Sequence, residues 1–159
     1  MSMIRVSNLS FGYEGSYDMI FEDVSFQLDT NWRLGFTGRN GRGKTTFLRL
    51  LAGQLPYQGT IQASVEFDLF PFEVADPQRM VYEILEEISP CAELWEFQRE
   101  LSLLEVDDDV LYRPFSTLSS GEKTKVLLAG LFLGDNRFLL IDEPTNHLDG
   151  HAREVLAAY

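Results

Sequence analysis

The chain has 159 residues, of which 45% are hydrophobic, and it carries a formal net charge of −12. This length suits one domain, and the composition is sufficient for a buried core, which excludes a disordered chain. The N-terminal "MSMIRVSNLS" lacks the features of a secretion signal, and no apolar run approaches the roughly 20 residues of a membrane-spanning helix, so we expect a soluble, cytoplasmic protein.

The N-terminal third predicts strands followed by a strand–loop–helix unit. Apolar and polar residues alternate in "MIRVSNLSF" and "MIFEDVSFQLD", a pattern typical of half-buried strands. "RLGFTG" predicts a short buried strand, and "KTTFLRLLAG" predicts a helix that ends at Gly53. A glycine-rich loop lies between them.

That loop is "GRNGRGKT", residues 38–45. It matches the eight-position P-loop pattern, in which glycines let successive backbone N–H groups surround phosphates. Lys44 can then reach the outer phosphates, and the Thr45 hydroxyl can bind Mg²⁺. A glycine turn beside a surface lysine is the minor alternative. The sequence therefore predicts a nucleotide-phosphate site with contacts from Gly38, Arg39, Asn40, Gly41, Arg42, Gly43, Lys44, Thr45 and Thr46.

The middle of the chain predicts two strands, "GTIQAS" and "VEFDLF", and then a helical lobe at about residues 74–116. Asp76 and Pro77 are expected to begin its first helix. Residues 83–109 hold ten acidic residues and one base, Arg99, which indicates a solvated surface that is unsuited to gripping nucleic acid. The single cysteine, Cys91, cannot form a disulfide within the chain or a zinc site, so we expect a small buried residue.

Residues 118–125, "LSSGEKTK", lead into a predicted helix from Gly121 to Leu133. Ser119 and Glu122 fit a capping box, in which the two residues satisfy free N–H groups at the helix start. The same helix start, with the positive end of its dipole, would also suit an anion. The residues alone leave both interpretations open.

The segment "FLLIDEPTNHLD", residues 138–149, predicts a buried strand that ends in two adjacent carboxylates. Because side chains alternate along a strand, Asp142 and Glu143 cannot perform the same role. Asp142 is assigned to Mg²⁺, and Glu143 to orienting or deprotonating the water that attacks the terminal phosphate of ATP. A turn at Asn146 and a helix cap at Asp149 are structural alternatives.

The three motifs "GRNGRGKT", "LSSGE" and "IDEPTNHLD", in this order, resemble the ATP-binding cassette (ABC) ATPases over nearly the whole chain. The resemblance implies an α/β P-loop ATPase with an antiparallel β subdomain and a small helical lobe. Tyr13, 25 residues before Gly38, matches the aromatic residue that stacks on adenine in such cassettes, although a strand tyrosine that faces the core also fits. The resemblance further implies that a signature segment contacts the terminal phosphate held by a second cassette, here through Ser119, Ser120, Gly121 and Glu122.

Two features depart from the family pattern. Phe72 stands where the family usually has a glutamine, in the loop that leads to the helical lobe. The chain also ends at Tyr159, before the strand and switch histidine that normally follow, and His147 in "TNHLD" is not that switch. We therefore expect a single, C-terminally truncated ABC domain over residues 1–159.

"EPTNHLD" and a signature that ends in glutamate resemble the F subfamily, twin-cassette proteins that act on the ribosome, and in particular its antibiotic-resistance branch. This resemblance implies Mg-ATP binding and hydrolysis by one cassette, with a second cassette and the ribosome as partners and no membrane insertion. The nucleotide-binding subunit of an ABC membrane transporter is one alternative. A noncatalytic, ATP-dependent interaction module is the other.

Overall fold

The computed structural model describes residues 3–37, 39, 41, 43–135, 137–146 and 148–159. These residues contain five β-strands and five α-helices. The chain divides into two compact units. The first comprises Met1–Leu69 and Asn136–Asp142, and the second comprises Phe70–Asp135 and Glu143–Tyr159.

The first unit contains a three-stranded antiparallel sheet with the order β2–β1–β3. Its strands are β1 Met3–Phe11, β2 Phe21–Asp29 and β3 Gln58–Gln62. The pairing register shifts between Val6 and Leu9, where Asn8 has a φ of 51°. This irregularity inserts one extra residue into the alternation of buried and exposed side chains along β1. The buried positions of β1 therefore change from Ile4 and Val6 to Leu9 and Phe11.

The core of this unit is formed by β1 and by helix α1, Lys44–Leu51. The helix buries Phe47, Leu50 and Leu51 in the same cluster as the apolar side chains of β1. Gly53, with a φ of 70°, follows its last turn, a conformation that glycine adopts without steric cost. The packing of α1 on the sheet fixes the position of the first turn of the helix.

Two further strands, β4 Glu66–Phe70 and β5 Arg137–Ile141, form a second sheet. An ion pair joins them, with 2.6 Å between Arg137 Nη1 and Asp68 Oδ1. Leu140 of β5 belongs to the same core cluster as β1 and α1. Because β5 is packed into this core, it fixes the position of Asp142, the residue that follows the strand.

The second unit is mainly helical. Its α-helices are α2 Val81–Ile88, α3 Leu94–Leu103, α4 Ser120–Phe132 and α5 Gly150–Ala158. Gly130 of α4 accepts a hydrogen bond from Ser89 Oγ through its carbonyl oxygen, at 2.5 Å. Of the described helices, α4 is the longest with 13 residues, and none is long and apolar enough to cross a membrane.

The domain organisation expected from the sequence, a single ABC domain with a helical lobe at about residues 74–116, stays a prediction.

Three local predictions are wrong. Residues 33–37 form no strand, and Leu34 and Phe36 are each 53% exposed, because no strand among the described residues pairs with this segment. The first lobe helix begins at Val81 instead of Pro77, since Asp76 Oδ1 accepts a hydrogen bond from Gln78 N at 3.0 Å and closes a turn. Cys91 is exposed, because it lies in the connection between α2 and α3.

Candidate functional site

The predicted phosphate loop leads directly into α1. Gly41 and Gly43 have φ values of 80° and 86°, in the left-handed region that favours glycine. Gly43 is the N-cap of α1 and makes no side-chain capping hydrogen bond. A glycine at this position leaves room for an anion at the positive end of the helix dipole.

Gly38, Asn40 and Arg42 lie outside the described residues. Arg39 is exposed, and Lys44 is half-buried as the first residue of α1. The contacts of these residues with ATP stay a prediction.

The structure brings together the two residues predicted to bind Mg²⁺. Thr45 Oγ1 donates a hydrogen bond to Asp142 Oδ2 at 2.6 Å, although 97 residues separate them in the sequence. The first turn of α1 supplies Thr45, and the end of β5 supplies Asp142. A hydroxyl and a carboxylate oxygen are both ligands that Mg²⁺ prefers.

The described parts of the chain contain no group of three or more His, Cys, Asp and Glu side chains that would hold a metal ion. A Mg²⁺ ion usually keeps several waters and takes one or two protein carboxylates together with substrate phosphates. One hydroxyl and one carboxylate beside a phosphate loop fit that requirement. The arrangement can thus hold a metal that arrives with a nucleotide.

Tyr13 lies near the same helix. Its hydroxyl is 2.9 Å from Thr46 Oγ1, and its ring packs edge-on against Phe11 with 5.0 Å between the ring centroids. The side chain is 46% exposed, so Tyr13 is not the core-facing strand tyrosine of the alternative interpretation. Stacking of this ring on adenine stays a prediction.

The loop after β5 belongs to the second unit from Glu143 onward. Glu143 has a φ of 45° and is exposed. Asn146 Nδ2 donates a hydrogen bond to Glu143 Oε2 at 2.6 Å, and Asn146 N donates to the Glu143 carbonyl oxygen at 3.1 Å. No prediction from the sequence included this side-chain contact, because the three-residue spacing alone does not show that the backbone turn brings the amide to the carboxylate. His147 lies outside the described residues.

The expected cap of the following helix is present. Asp149 Oδ1 accepts a hydrogen bond from Ala152 N at 2.8 Å at the start of α5. Asp149 therefore satisfies one of the free N–H groups of that helix. The loop from Glu143 to Asp149 is held by a turn at one end and by a cap at the other.

The predicted signature segment begins α4. Ser119 is the N-cap, its Oγ accepts a hydrogen bond from Glu122 N at 3.2 Å, and its own N–H donates to Glu122 Oε2 at 2.7 Å. The capping-box interpretation is therefore confirmed. The hydrogen bond from the Ser119 backbone N–H is the main reason why the pKa of Glu122 is lowered. Ser120 and Gly121 form the first turn of α4, and contact of this segment with a partner's nucleotide stays a prediction.

Phe72 follows β4 and is half-buried outside any helix or strand. An aromatic ring cannot supply the oxygen ligand or the amide that a glutamine offers.

Sequence comparison relates this chain to known proteins. Residues 21–146 match the family model described as ABC transporter. YdiF of Bacillus subtilis is 37% identical over 97% of this chain and 25% of that protein. ABC transporter F family member 3 of Arabidopsis thaliana is 33% identical over 97% of this chain and 22% of that protein. The chain thus spans about a quarter of the length of these curated relatives.

Solved structures show the same fold. An ABC transporter ATP-binding protein of Pyrococcus furiosus superimposes with a TM-score of 0.81 and 23% identity, over 99% of this chain and 84% of that chain. A bacterial Atm1-family ABC exporter with ATP bound superimposes with a TM-score of 0.77 and 20% identity, over 99% of this chain and 32% of that one. At these identities the likeness establishes the architecture alone.

Proposed function

This chain belongs to the ABC transporter family, whose members are ATPases, and from that premise we propose that it is one Mg-ATP-hydrolysing cassette of an F-type ABC protein. Family membership implies ATP binding. The F-family relatives favour the F type over a transporter subunit. Hydrolysis, the metal, the second cassette and the biological partner are parts of the proposal.

The observation that carries the proposal is the 2.6 Å hydrogen bond between Thr45 Oγ1 and Asp142 Oδ2. It supports the metal assignment, because a hydroxyl and a carboxylate oxygen meet at the start of the helix that follows the glycine-rich loop. Thr45 and Asp142 would hold Mg²⁺ there together with ATP, and the ion would neutralise charge that develops on the transferring phosphoryl group. An ATPase requires such a contact between its phosphate loop and a distant carboxylate, here 97 positions away in the sequence. A glycine turn without a nucleotide does not require it.

The reaction uses residues of this chain in separate roles. Lys44 contacts the outer phosphates of ATP with its ammonium group. Glu143 orients the attacking water and accepts its proton, while the water oxygen forms a bond to the terminal phosphorus. The bond between that phosphorus and the bridging oxygen breaks, so that ADP and phosphate leave. Tyr13 stacks on the adenine ring and excludes water from it.

A second cassette completes the site. In the proposed pair, Ser119, Ser120 and Gly121 at the start of α4 contact the terminal phosphate bound by the partner cassette. Glu122 holds this helix start in shape through the capping box, since it bonds the Ser119 N–H. A chain without an opposing signature segment is then expected to bind ATP but hydrolyse it slowly.

The partner of the full-length protein is proposed to be the ribosome, in the cytoplasm, with antibiotic resistance as one outcome. Residues 83–109 carry ten acidic residues and one base, so the surface that grips ribosomal RNA must come from another part of that protein. ATP-driven closing of two cassettes would give the protein the shape that docks on the ribosome, and ATP hydrolysis would release the protein from it.

Metal binding is tested by calorimetry with ATP, in Mg²⁺ and in EDTA. The unchanged chain should bind ATP more tightly in Mg²⁺, and Thr45→Ala and Asp142→Asn should each reduce that Mg²⁺-dependent gain about tenfold, the size of one lost charge-assisted contact. Thr60→Ala is the matched control, because Thr60 is an exposed threonine of β3. An unchanged Mg²⁺ dependence in both site variants would refute the metal assignment.

The partner is tested with the full-length protein carrying Glu143→Gln, together with glutamine at the corresponding position of any second cassette. Cosedimentation with ribosomes in ATP, and not without it, is the expected result. Recovery with a membrane permease and not with ribosomes would establish the transporter subunit instead. Recovery with neither, while ATP still binds, would leave the noncatalytic interaction module as the better account.

A further inference from the structure

We propose that Asn146 is a positioning residue for Glu143, which holds one oxygen of its carboxylate and thereby directs the other toward the attacking water. This inference rests on the proposed catalytic role of Glu143. It adds a residue to the reaction that the P-loop, the strand-end carboxylates and the signature segment do not include.

Two hydrogen bonds connect the residues. Asn146 Nδ2 donates to Glu143 Oε2 at 2.6 Å, and Asn146 N donates to the Glu143 carbonyl oxygen at 3.1 Å. Since an ionised carboxylate only accepts hydrogen bonds, the NH₂ group of the amide must face it. The same asparagine therefore contacts both the backbone and the side chain of Glu143, and the amide holds one of the two equivalent carboxylate oxygens while the other stays free to accept from water.

The backbone of Glu143 needs such support. Its φ of 45° lies in the left-handed region, which non-glycine residues adopt at a cost and keep only where neighbouring groups hold them. The hydrogen bond from Asn146 N closes the turn, and a bond of 3.2 Å from Leu148 N to the Thr145 carbonyl oxygen continues it. The cap by Asp149 then anchors the loop to α5.

The chemistry of the donor matters for catalysis. A general base must keep its negative charge and its free lone pairs, and a neutral amide leaves that charge in place. A lysine or arginine at position 146 would pair with the carboxylate, and an acid would repel it. Asn146 thus orients Glu143 without neutralising it, and the water is expected at Oε1, the oxygen that Asn146 does not contact.

The test uses single-turnover hydrolysis with the full-length protein in excess over ATP, and glutamine replaces the equivalent glutamate of any second cassette. Asn146→Ala should lower the rate constant about tenfold, while the dissociation constant for ATP changes less than about twofold. Asn146→Asp, which keeps the size but replaces the donor by a charge, should lower the rate at least as much. Asn146→Gln, which keeps an amide, should have a rate constant between those of Asn146→Ala and the unchanged protein.

Asn31 offers a matched control, because its Nδ2 also donates to a turn carboxylate, Asp29 Oδ1, at 3.0 Å in the first unit. Asn31→Ala should leave the rate unchanged. If Asn146→Ala weakens ATP binding and thermal stability together with the rate, the asparagine is a structural turn residue and the proposal fails. A faster reaction in Asn146→Ala would show that Asn146 restrains Glu143 and would equally overturn it.

A double-mutant cycle separates this inference from the function on which it rests. Asn146→Ala should have no further effect in a Glu143→Gln background, because the group that it positions is then absent. An equal loss in both backgrounds would overturn the positioning role. If Glu143→Gln alone leaves the rate unchanged, the proposed function of Glu143 fails first. If Glu143→Gln alone abolishes turnover, but Asn146→Ala alone leaves the rate of the unchanged protein the same, only the role of Asn146 is refuted.

Discussion

Replacing Gly130 by alanine tests how closely α4 and α2 pack. A Cβ atom at this position would lie 2.8 Å from Leu85 Cδ2 and 3.3 Å from Ile88 Cγ2. Leu85 is fully buried, so other protein atoms surround its side chain. The Ser89 hydroxyl, bonded to the Gly130 carbonyl oxygen at 2.5 Å, holds the end of α2 against the same residue. The methyl group therefore fits only if the Leu85 and Ile88 side chains, or the two helices, shift.

Two opposite effects decide the magnitude. Alanine is better than glycine inside a helix by about 1 kcal/mol, whereas overpacking a buried contact costs typically about 1–3 kcal/mol. Because two α2 side chains must move, we expect overpacking to dominate and Gly130→Ala to lower the free energy of unfolding by about 1 kcal/mol. Gly121, in the first turn of the same helix, is the matched control. Its added Cβ would meet Leu148 Cδ2 at an ordinary 3.6 Å, so alanine there should raise the free energy of unfolding by about 0.5 kcal/mol.

Urea unfolding followed by far-ultraviolet circular dichroism measures both changes, provided that the m-value stays constant. A change of 1 kcal/mol should shift Tm by roughly 2–4 °C for a chain of this size. The contact itself is tested by adding Leu85→Ala, since the shortened side chain leaves room for the methyl group. Gly130→Ala should then cost less than in the unchanged chain.

The sign of the effect is the critical result. If Gly130→Ala stabilises the protein as much as Gly121→Ala, helix propensity dominates and α4 is not in close contact with α2. If the cost of Gly130→Ala is the same with and without Leu85→Ala, the clash lies elsewhere. Either result would refute this packing argument.

Three further changes have defined outcomes. Lys44→Ala should weaken ATP binding by about 1.5–3 kcal/mol, the worth of a hydrogen bond to a charged group, and equal calorimetric affinities would contradict the role of Lys44. The lowered pKa of Glu122 means that its contribution to stability is complete above the ordinary value of 4.5 and is lost as the pH falls through the lowered folded-state pKa. The difference in unfolding free energy between the unchanged chain and Glu122→Gln should therefore shrink on acidification, and a constant difference would count against the capping box. Asp149→Ala should cost about 1 kcal/mol through loss of the helix cap, seen as faster amide hydrogen exchange at Ala152, and unchanged exchange there would show that the cap is dispensable.

Periodicity and motif order predicted much of this molecule. The α/β fold with an antiparallel β subdomain and the resemblance to the ABC ATPases of the F subfamily are confirmed. The helix at Lys44, the helix at Ser120 and the strand before Asp142 lie where their apolar patterns place them. Such patterns are reliable because each element buries its own apolar face.

Other features depend on neighbours that a local pattern does not specify. "RLGFTG" has the composition of a buried strand, but Leu34 and Phe36 are exposed because pairing decides burial. Cysteine is usually buried, yet Cys91 lies in a connection where no element covers it. The chemistry of Asn146 was likewise hidden, because only the backbone turn at Glu143 brings the amide to the carboxylate.

The hydrogen bond between Thr45 and Asp142 also has a consequence for synthesis. A ribosome adds about 5–20 residues per second, so Asp142, which lies 97 positions after Thr45, is added about 5–20 s later. During that interval the nascent chain has its P-loop but lacks the carboxylate and the strand that carries it. Tight Mg-ATP binding should therefore begin only after β5 has left the exit tunnel and joined the sheet, and nucleotide added during translation would select chains that have already folded.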